Sequence, residues 1–296
     1  MTKRNEYLLM AIFAALFWGL NGVAANLLFK RMPDTTPDWL TTNRLLISGV
    51  VLLLYLLIKR ENIFLIFSSV KSAALILSFG IFGVYFAQSN FVRTLYYGNA
   101  AIATVLQYLA PALIVLVMAA LNKKLPTLIE SISVVLSFAG IVLLVTNGNF
   151  SHLVITPQTL WFGILSAIGL MLYTLIPRSL LQTENPILIT GWGMTIGGLV
   201  SNFVSPVYNP SYRFDLIDIS LLIFIIGFGS IAAFVLYIAS LKMIEPQVVG
   251  MVGMLEPISA TILSVQLIGV HLGTFQIIGV VLTLVAIWVM NRSEEK

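Results

Sequence analysis

The sequence predicts an all-α integral membrane protein of ten transmembrane helices in two inverted five-helix repeats, with both termini cytoplasmic. Three observations carry this reading: an apolar composition, ten apolar runs of spanning length, and an internal similarity at one fixed offset. Of 296 residues, 59% are hydrophobic and only 9% charged, with a mean hydropathy of +1.00. A soluble domain carries roughly 25% charged residues to cover its surface. The composition therefore excludes a soluble enzyme, a nucleic-acid binder and a disordered scaffold. The net charge of +4 is explained by Lys and Arg gathering on the cytoplasmic side of membrane proteins, so no nucleic-acid partner is expected. Cysteine is absent, which removes disulfides, iron–sulfur clusters and thiolate metal sites. No cofactor or metal is expected.

The first apolar run follows Lys3 and Arg4 as a signal-peptide core would. It extends from Tyr7 to Phe29, however, and nine similar runs follow, so it reads as an uncleaved first span. The spans lie near 7–29, 39–58, 72–94, 99–121, 127–146, 159–177, 187–206, 219–240, 247–269 and 273–290, each close to the 20 or so residues that cross a bilayer. Met32-Pro33-Asp34, Asn147-Gly148-Asn149 and Asn209-Pro210-Ser211 punctuate them as turns. Thr127 and Glu130 read as a capping box opening the fifth span. With the N-terminus inside, the cytoplasmic segments hold 11 of the 16 basic residues, the asymmetry expected of a multi-pass protein of a bacterial plasma membrane. Both ends then lie inside, which requires an even number of spans.

Pro111 and Pro257 stand 146 residues apart, and that offset runs without a gap from about residue 79 to 144. Phe82-Gly83 meets Phe228-Gly229, and Val134-Val135-Leu136 meets Val280-Val281-Leu282. The expected units are therefore residues 1–146 and 147–296. Five helices per unit force the second to insert upside down relative to the first, a plan of secondary transporters whose substrate site lies near the midplane.

Several strings then look familiar. The first span reads Leu16-Phe17-Trp18-Gly19-Leu20-Asn21-Gly22, the second opens with Asn43-Arg44-Leu45-Leu46, and the third meets the fourth at Thr94 to Ala101. Leu109-Ala110-Pro111, Leu255-Glu256-Pro257 and Gln276-Ile277-Ile278-Gly279 follow in order. Together, over nearly the whole chain, these resemble the EamA-type branch of the drug/metabolite transporter superfamily. The resemblance implies ten helices in two inverted repeats and movement of small metabolites, often outward; known members include exporters of amino acids and related metabolites. The family often carries an acid in the turns after the fourth and ninth spans. Around Lys124 and Val270 this chain has none, so no role attached to that acid carries over.

Candidate site residues follow from polarity at depth. An ionisable group inside a span costs a few kcal/mol and is a functional candidate by default. Glu256 lies about ten residues into the ninth span, roughly 15 Å deep, where it can carry a proton, hold a substrate ammonium, or simply hydrogen-bond a neighbouring helix. Its repeat partner is Ala110. Pro111 and Pro257 free the carbonyls of Gln107 and Gly253; these breaks either line the site or only kink the bundle. Thr104, Gln107, Tyr108 and Pro111 share one helical face. Gln88, Trp18, Asn21 and Tyr173 add amides and aromatic rings at depth, and Met254 is grouped with them beside Glu256. Such walls suit a small amphipathic solute, while interhelical hydrogen bonding is the competing explanation. Arg44, about one turn inside the second span, can snorkel to the outer surface and serves either structure or an outer gate. Arg93 reads as interfacial, and Gly193/Gly197 as a helix-packing pair.

No nucleophile with a base, carboxylate pair or metal triad can be assembled, so the chain is not expected to be an enzyme. It lacks a phosphate-binding loop ending in Gly-Lys-Ser/Thr, so a gradient or the solute itself must drive it. The expected function is a secondary transporter, an exporter of small metabolites such as amino acids or amphipathic and aromatic compounds, alternating access around a midplane cavity. A gradient-independent facilitator is the alternative. Its partners are a small solute and the lipid bilayer, with proton coupling through Glu256, and it works as a monomer or weak dimer.

Overall fold

A computed structural model describes residues 3–208, 213–240, 243–244 and 252–293. The Asn209-Pro210-Ser211 turn, Lys242, Lys296 and positions 247–251 of the ninth predicted span lie outside these. The described residues are helical throughout and contain no strand. Eight helices are long and apolar enough to cross a membrane: α1 (Lys3–Arg31), α2 (Pro37–Ile58), α3 (Val70–Tyr97), α4 (Ala100–Asn122), α5 (Leu128–Thr146), α6 (Pro157–Arg178), α7 (Pro186–Val204) and α8 (Leu216–Tyr237). Two more apolar helices, α9 (Leu255–Ile268) and α10 (Thr274–Ser293), are shorter in their described apolar stretches. The chain is an all-α membrane protein.

Local chemistry sets the helix starts. Thr36, Thr156 and Asn185 cap α2, α6 and α7, each followed by a proline at the first helical position, where its missing N–H has no intrahelical role. Thr127 and Glu130 form the expected capping box of α5, and Asp215 with Asp218 forms a second at α8. Three of the described helices contain π turns, Phe79–Tyr85 in α3, Phe224–Ala232 in α8 and Ser264–Ile268 in α9. In α4 the helix stops at Gln107 and restarts at Ala110, placing Pro111 in the first turn of the new segment. There its lack of an N–H costs no hydrogen bond. α9 likewise starts at Leu255 behind a turn at Met254, with Pro257 in its first turn.

The helices pack mainly across the two halves of the chain: α1 on α8 and α9, α2 on α7, α3 on α6, α5 on α10. The α2–α7 crossing is backbone on backbone. A Cβ on Gly49 would meet the Thr195 nitrogen at 2.5 Å, and one on Gly198 the Leu46 nitrogen at 2.6 Å, so only glycine permits this approach. Small residues at membrane helix interfaces allow such contact, which dispersion and hydrogen bonding stabilise. Gly193 and Gly197 face α3 within the same chain, against Phe79 and Gly80.

Candidate functional site

The π turn of α8 and the breaks in α4 and α9 bring polar groups together inside the bundle. A π turn widens the helix and frees a carbonyl. Here the Ser230 hydroxyl donates to the Ile225 carbonyl at 3.1 Å and accepts from Arg44 Nε at 2.8 Å. Arg44 is only 6% exposed. The snorkelling expected of it does not occur: its side chain turns inward because α8, packed against α2, offers an acceptor at that depth. Arg93, expected at the interface, is half-buried in an ion pair with Asp38 at 2.6 Å and lies 5.4 Å from the centroid of the Phe162 ring.

Tyr108, at the break in α4, reaches α9. Its hydroxyl lies 2.8 Å from the Gly253 carbonyl, to which it donates, and 3.3 Å from Glu256 Oε2. Gly253 is the residue whose carbonyl Pro257 deprives of a helical partner, and Tyr108 supplies the replacement. Glu256, in the first turn of α9, is half-buried and faces the positive end of that helical segment. Arg44 and Glu256 are opposite charges on α2 and α9. Yet no ion pair joins Arg44 to Glu256 among the described residues.

An aromatic cluster begins one turn beyond Ser230, at Phe234. Trp18 packs on Phe234 and Tyr237 with centroids 5.2 Å apart in both cases. Tyr173 packs on Phe79 at 5.1 Å and on Phe234 at 6.4 Å. Five of the predicted residues, Trp18, Arg44, Tyr108, Tyr173 and Glu256, therefore fall in one neighbourhood, with Met254 adjacent in sequence at the α9 turn. Others part from it. Gln107 donates to Ser166 Oγ of α6 at 2.7 Å, a buried interhelical bond. Thr104 bonds back to the Ala100 and Ala101 carbonyls. Asn21 abuts Gly229 of α8; its Oδ1, like Gln88 Oε1, is buried without a partner among the described residues. Such acceptors cost about 1–3 kcal/mol each unless a donor comes from outside the protein.

Ser230, Phe234 and Tyr237 are site residues the sequence did not single out. Tyr237 stands three residues from the predicted end of its span, where an interfacial tyrosine is ordinary. Ser230 breaks an otherwise apolar run, Phe224 to Phe234, and that was its only signal. Two clefts open elsewhere, near the α1–α2 turn. One of about 240 Å³ includes Asn26, Lys30 and Tyr96 in its lining, and one of about 700 Å³ lies between α2 and α8. Neither is lined by Arg44 or Glu256. Beside them Arg31 bridges Asp215 and Asp218, and Lys30 Nζ donates to the Ile268 carbonyl at 2.8 Å. Asp215 is held below its ordinary range by the Asp218 backbone N–H it accepts, and further by Arg31.

The architecture matches known proteins. A crystal structure covered in full superposes on 99% of this chain with a TM-score of 0.67 at 17% identity, a likeness of fold. An uncharacterized inner membrane transporter of Salmonella typhimurium, YicL, is 30% identical over 273 residues, spanning 91% of this chain and 90% of its own. A chloroplastic WAT1-related protein of Arabidopsis thaliana is 25% identical over 94% of this chain and 67% of its own. The sequence model of the EamA-like transporter family matches residues 5–146 and 158–292. Nearly the whole chain is covered, and the protein belongs to the EamA-like transporter family.

Proposed function

We propose that the protein is a secondary transporter that exports small metabolites, amino acids and amphipathic or aromatic compounds foremost, across a bacterial inner membrane. The observation that carries this reading is Arg44 and Glu256. They are opposite charges inside the bundle that form no ion pair with each other among the described residues, and the rings of Trp18, Tyr173, Phe234 and Tyr237 pack on one another in the same neighbourhood. A solute bearing a carboxylate and an ammonium can bridge them, with its side chain on the rings. The YicL relative is named an inner membrane transporter, which agrees with this location.

Ten spans in two inverted repeats, residues 1–146 and 147–296 with both ends inside, fit the packing. α1 rests on α8 as α6 rests on α3, while α2 meets its counterpart α7 and α5 its counterpart α10. The π turns of α3 and α8 overlap when the chain is shifted by 146 residues, and the family model matches two successive segments. Halves of this kind can rock about a central site and open it to each side in turn. Glu256 is the proton carrier in this scheme.

Counterflow of a labelled amino-acid panel in liposomes, with and without a proton gradient, tests it. Wild type responds to the gradient and Glu256→Gln does not. Equal, gradient-independent counterflow in both would leave a facilitator with Glu256 as interhelical glue. No counterflow of any member of the panel would refute the amino-acid assignment.

A further inference from the structure

Between α2 and α8 lies the cleft of about 700 Å³. Trp39, Asn43 and Ile47 share one face of α2, and the run from Ile219 to Gly227 forms the opposite wall. From Trp39 to Ile47 the cleft descends about 12 Å, from the first turn of a membrane-spanning helix toward its middle. Its flanks are exposed and apolar at Ile47, Ile219 and Ile223. At the deep end stands Gly227, where an added Cβ would meet nothing within 4 Å. The polar groups of the α2 wall are turned to the protein: Trp39 Nε1 and Asn43 Nδ2 both donate to the Val207 carbonyl, at 2.8 and 3.2 Å. Among the described residues no charged side chain lines the cleft, so a zwitterionic solute finds no counter-charge there. At the mouth Phe214 stacks on Trp39 at 5.5 Å, and the residue immediately before Phe214 is the exposed cation Arg213.

We infer that this cleft is a phospholipid site, in which one acyl chain lies between α2 and α8 with its end toward Gly227 and Arg213 holds the phosphate at the mouth. Left empty, both walls would forfeit dispersion contacts. Lipid tails are the apolar material available at that depth, and a basic residue at the headgroup level attracts an anionic lipid. The assignment rests on membrane insertion alone and is independent of what the transporter carries. It has a mechanical corollary: Gly227 lies one turn before Ser230, which holds Arg44, so the chain in the cleft sets how closely α2 and α8 approach at that bond.

Native mass spectrometry of the full chain in mild detergent, with added dioleoyl phosphatidylglycerol, tests the site. Wild type retains one lipid through activation. Gly227→Trp, which fills the deep end, loses it, and Arg213→Gln weakens retention about fivefold, the equivalent of one basic residue at an anionic surface. Arg213 is exposed, so its variant reports even if Gly227→Trp fails to fold. Equal retention by wild type and Arg213→Gln overturns the phosphate contact, and equal retention by a folded Gly227→Trp overturns the site. Unchanged lipid retention with lost amino-acid counterflow in Gly227→Trp would make the cleft a solute path instead, and would also overturn it.

Discussion

The turn at Tyr108 inside α4 and the turn at Met254 ahead of α9 each fall just before a proline, yet their chemistry is opposite. At the α4 break Leu109 and Ala110 are 4% and 1% exposed and pack into an apolar cluster with Leu106, Ile141 and Leu144. At the α9 break Met254 and Glu256 are only half-buried, and Glu256 is acidic. The neutral break also serves the acidic one, because Tyr108 supplies the hydroxyl that Gly253 and Glu256 share. One backbone device thus packs one half of the molecule and charges the other. A solute with two unlike ends needs a site with that asymmetry.

The comparison breaks most sharply if the charge is moved. Ala110→Glu buries an unpaired carboxyl among apolar side chains, with a penalty of several kcal/mol. Little folded protein is expected by size-exclusion chromatography, and adding Glu256→Ala should not rescue it. Next, Ser230→Ala strands the Nε donor of buried Arg44 and should lower stability by about 2–3 kcal/mol, as for hydrogen bonds to charged groups. Denaturant titration in detergent measures this. Tyr108→Phe removes a neutral donor and should cost about 1–2 kcal/mol by the same titration, while also weakening the response of counterflow to a proton gradient. If Tyr108→Phe proves as severe as Ala110→Glu, the two breaks are a single structural unit and the contrast drawn between them fails.

The smallest effect lies away from both breaks. Asp215, an exposed cap of α8, has its carboxyl held below the ordinary range. A carboxyl lowered in this way stabilises the fold above its unfolded-state value and loses that contribution as pH falls through its folded-state value. Thermal melting should therefore show wild type slightly above Asp215→Asn at neutral pH, with the gap closing in acid.

Much of this was legible in the sequence because it depends on local chemistry. The α5 capping box follows from Thr127 and Glu130 alone, and the carbonyl of Gly253 was identifiable from Pro257 four residues on. What took that carbonyl was not legible. Tyr108 is readable as a polar residue at depth, but only the packed bundle joins it to that carbonyl. Arg44 shows the limit most clearly. Counting turns from the helix end suggested a surface charge, whereas its direction is decided by Ser230, 186 residues away. The π turns that position Ser230 and widen α3 have no proline to announce them. Gln107 shared a helical face with Tyr108, yet the break at Tyr108 lets the two side chains part, one to α6 and the other to α9.

The pairing of α1 with α8, α2 with α7, α3 with α6 and α5 with α10 has a consequence for biogenesis. A nascent chain delivers α1 to α5 to the bilayer before any of these partners has been made. During that interval the glycine face around Gly49 has only lipid or a transient chaperone against it, and Arg44 has no Ser230. The early helices can make the few contacts they have with one another, such as Arg93 with Asp38 and Asn26 with the Leu95 carbonyl, but most of their faces must wait. Assembly is then a late event, completed only as α6 to α10 arrive and thread their faces between those already present.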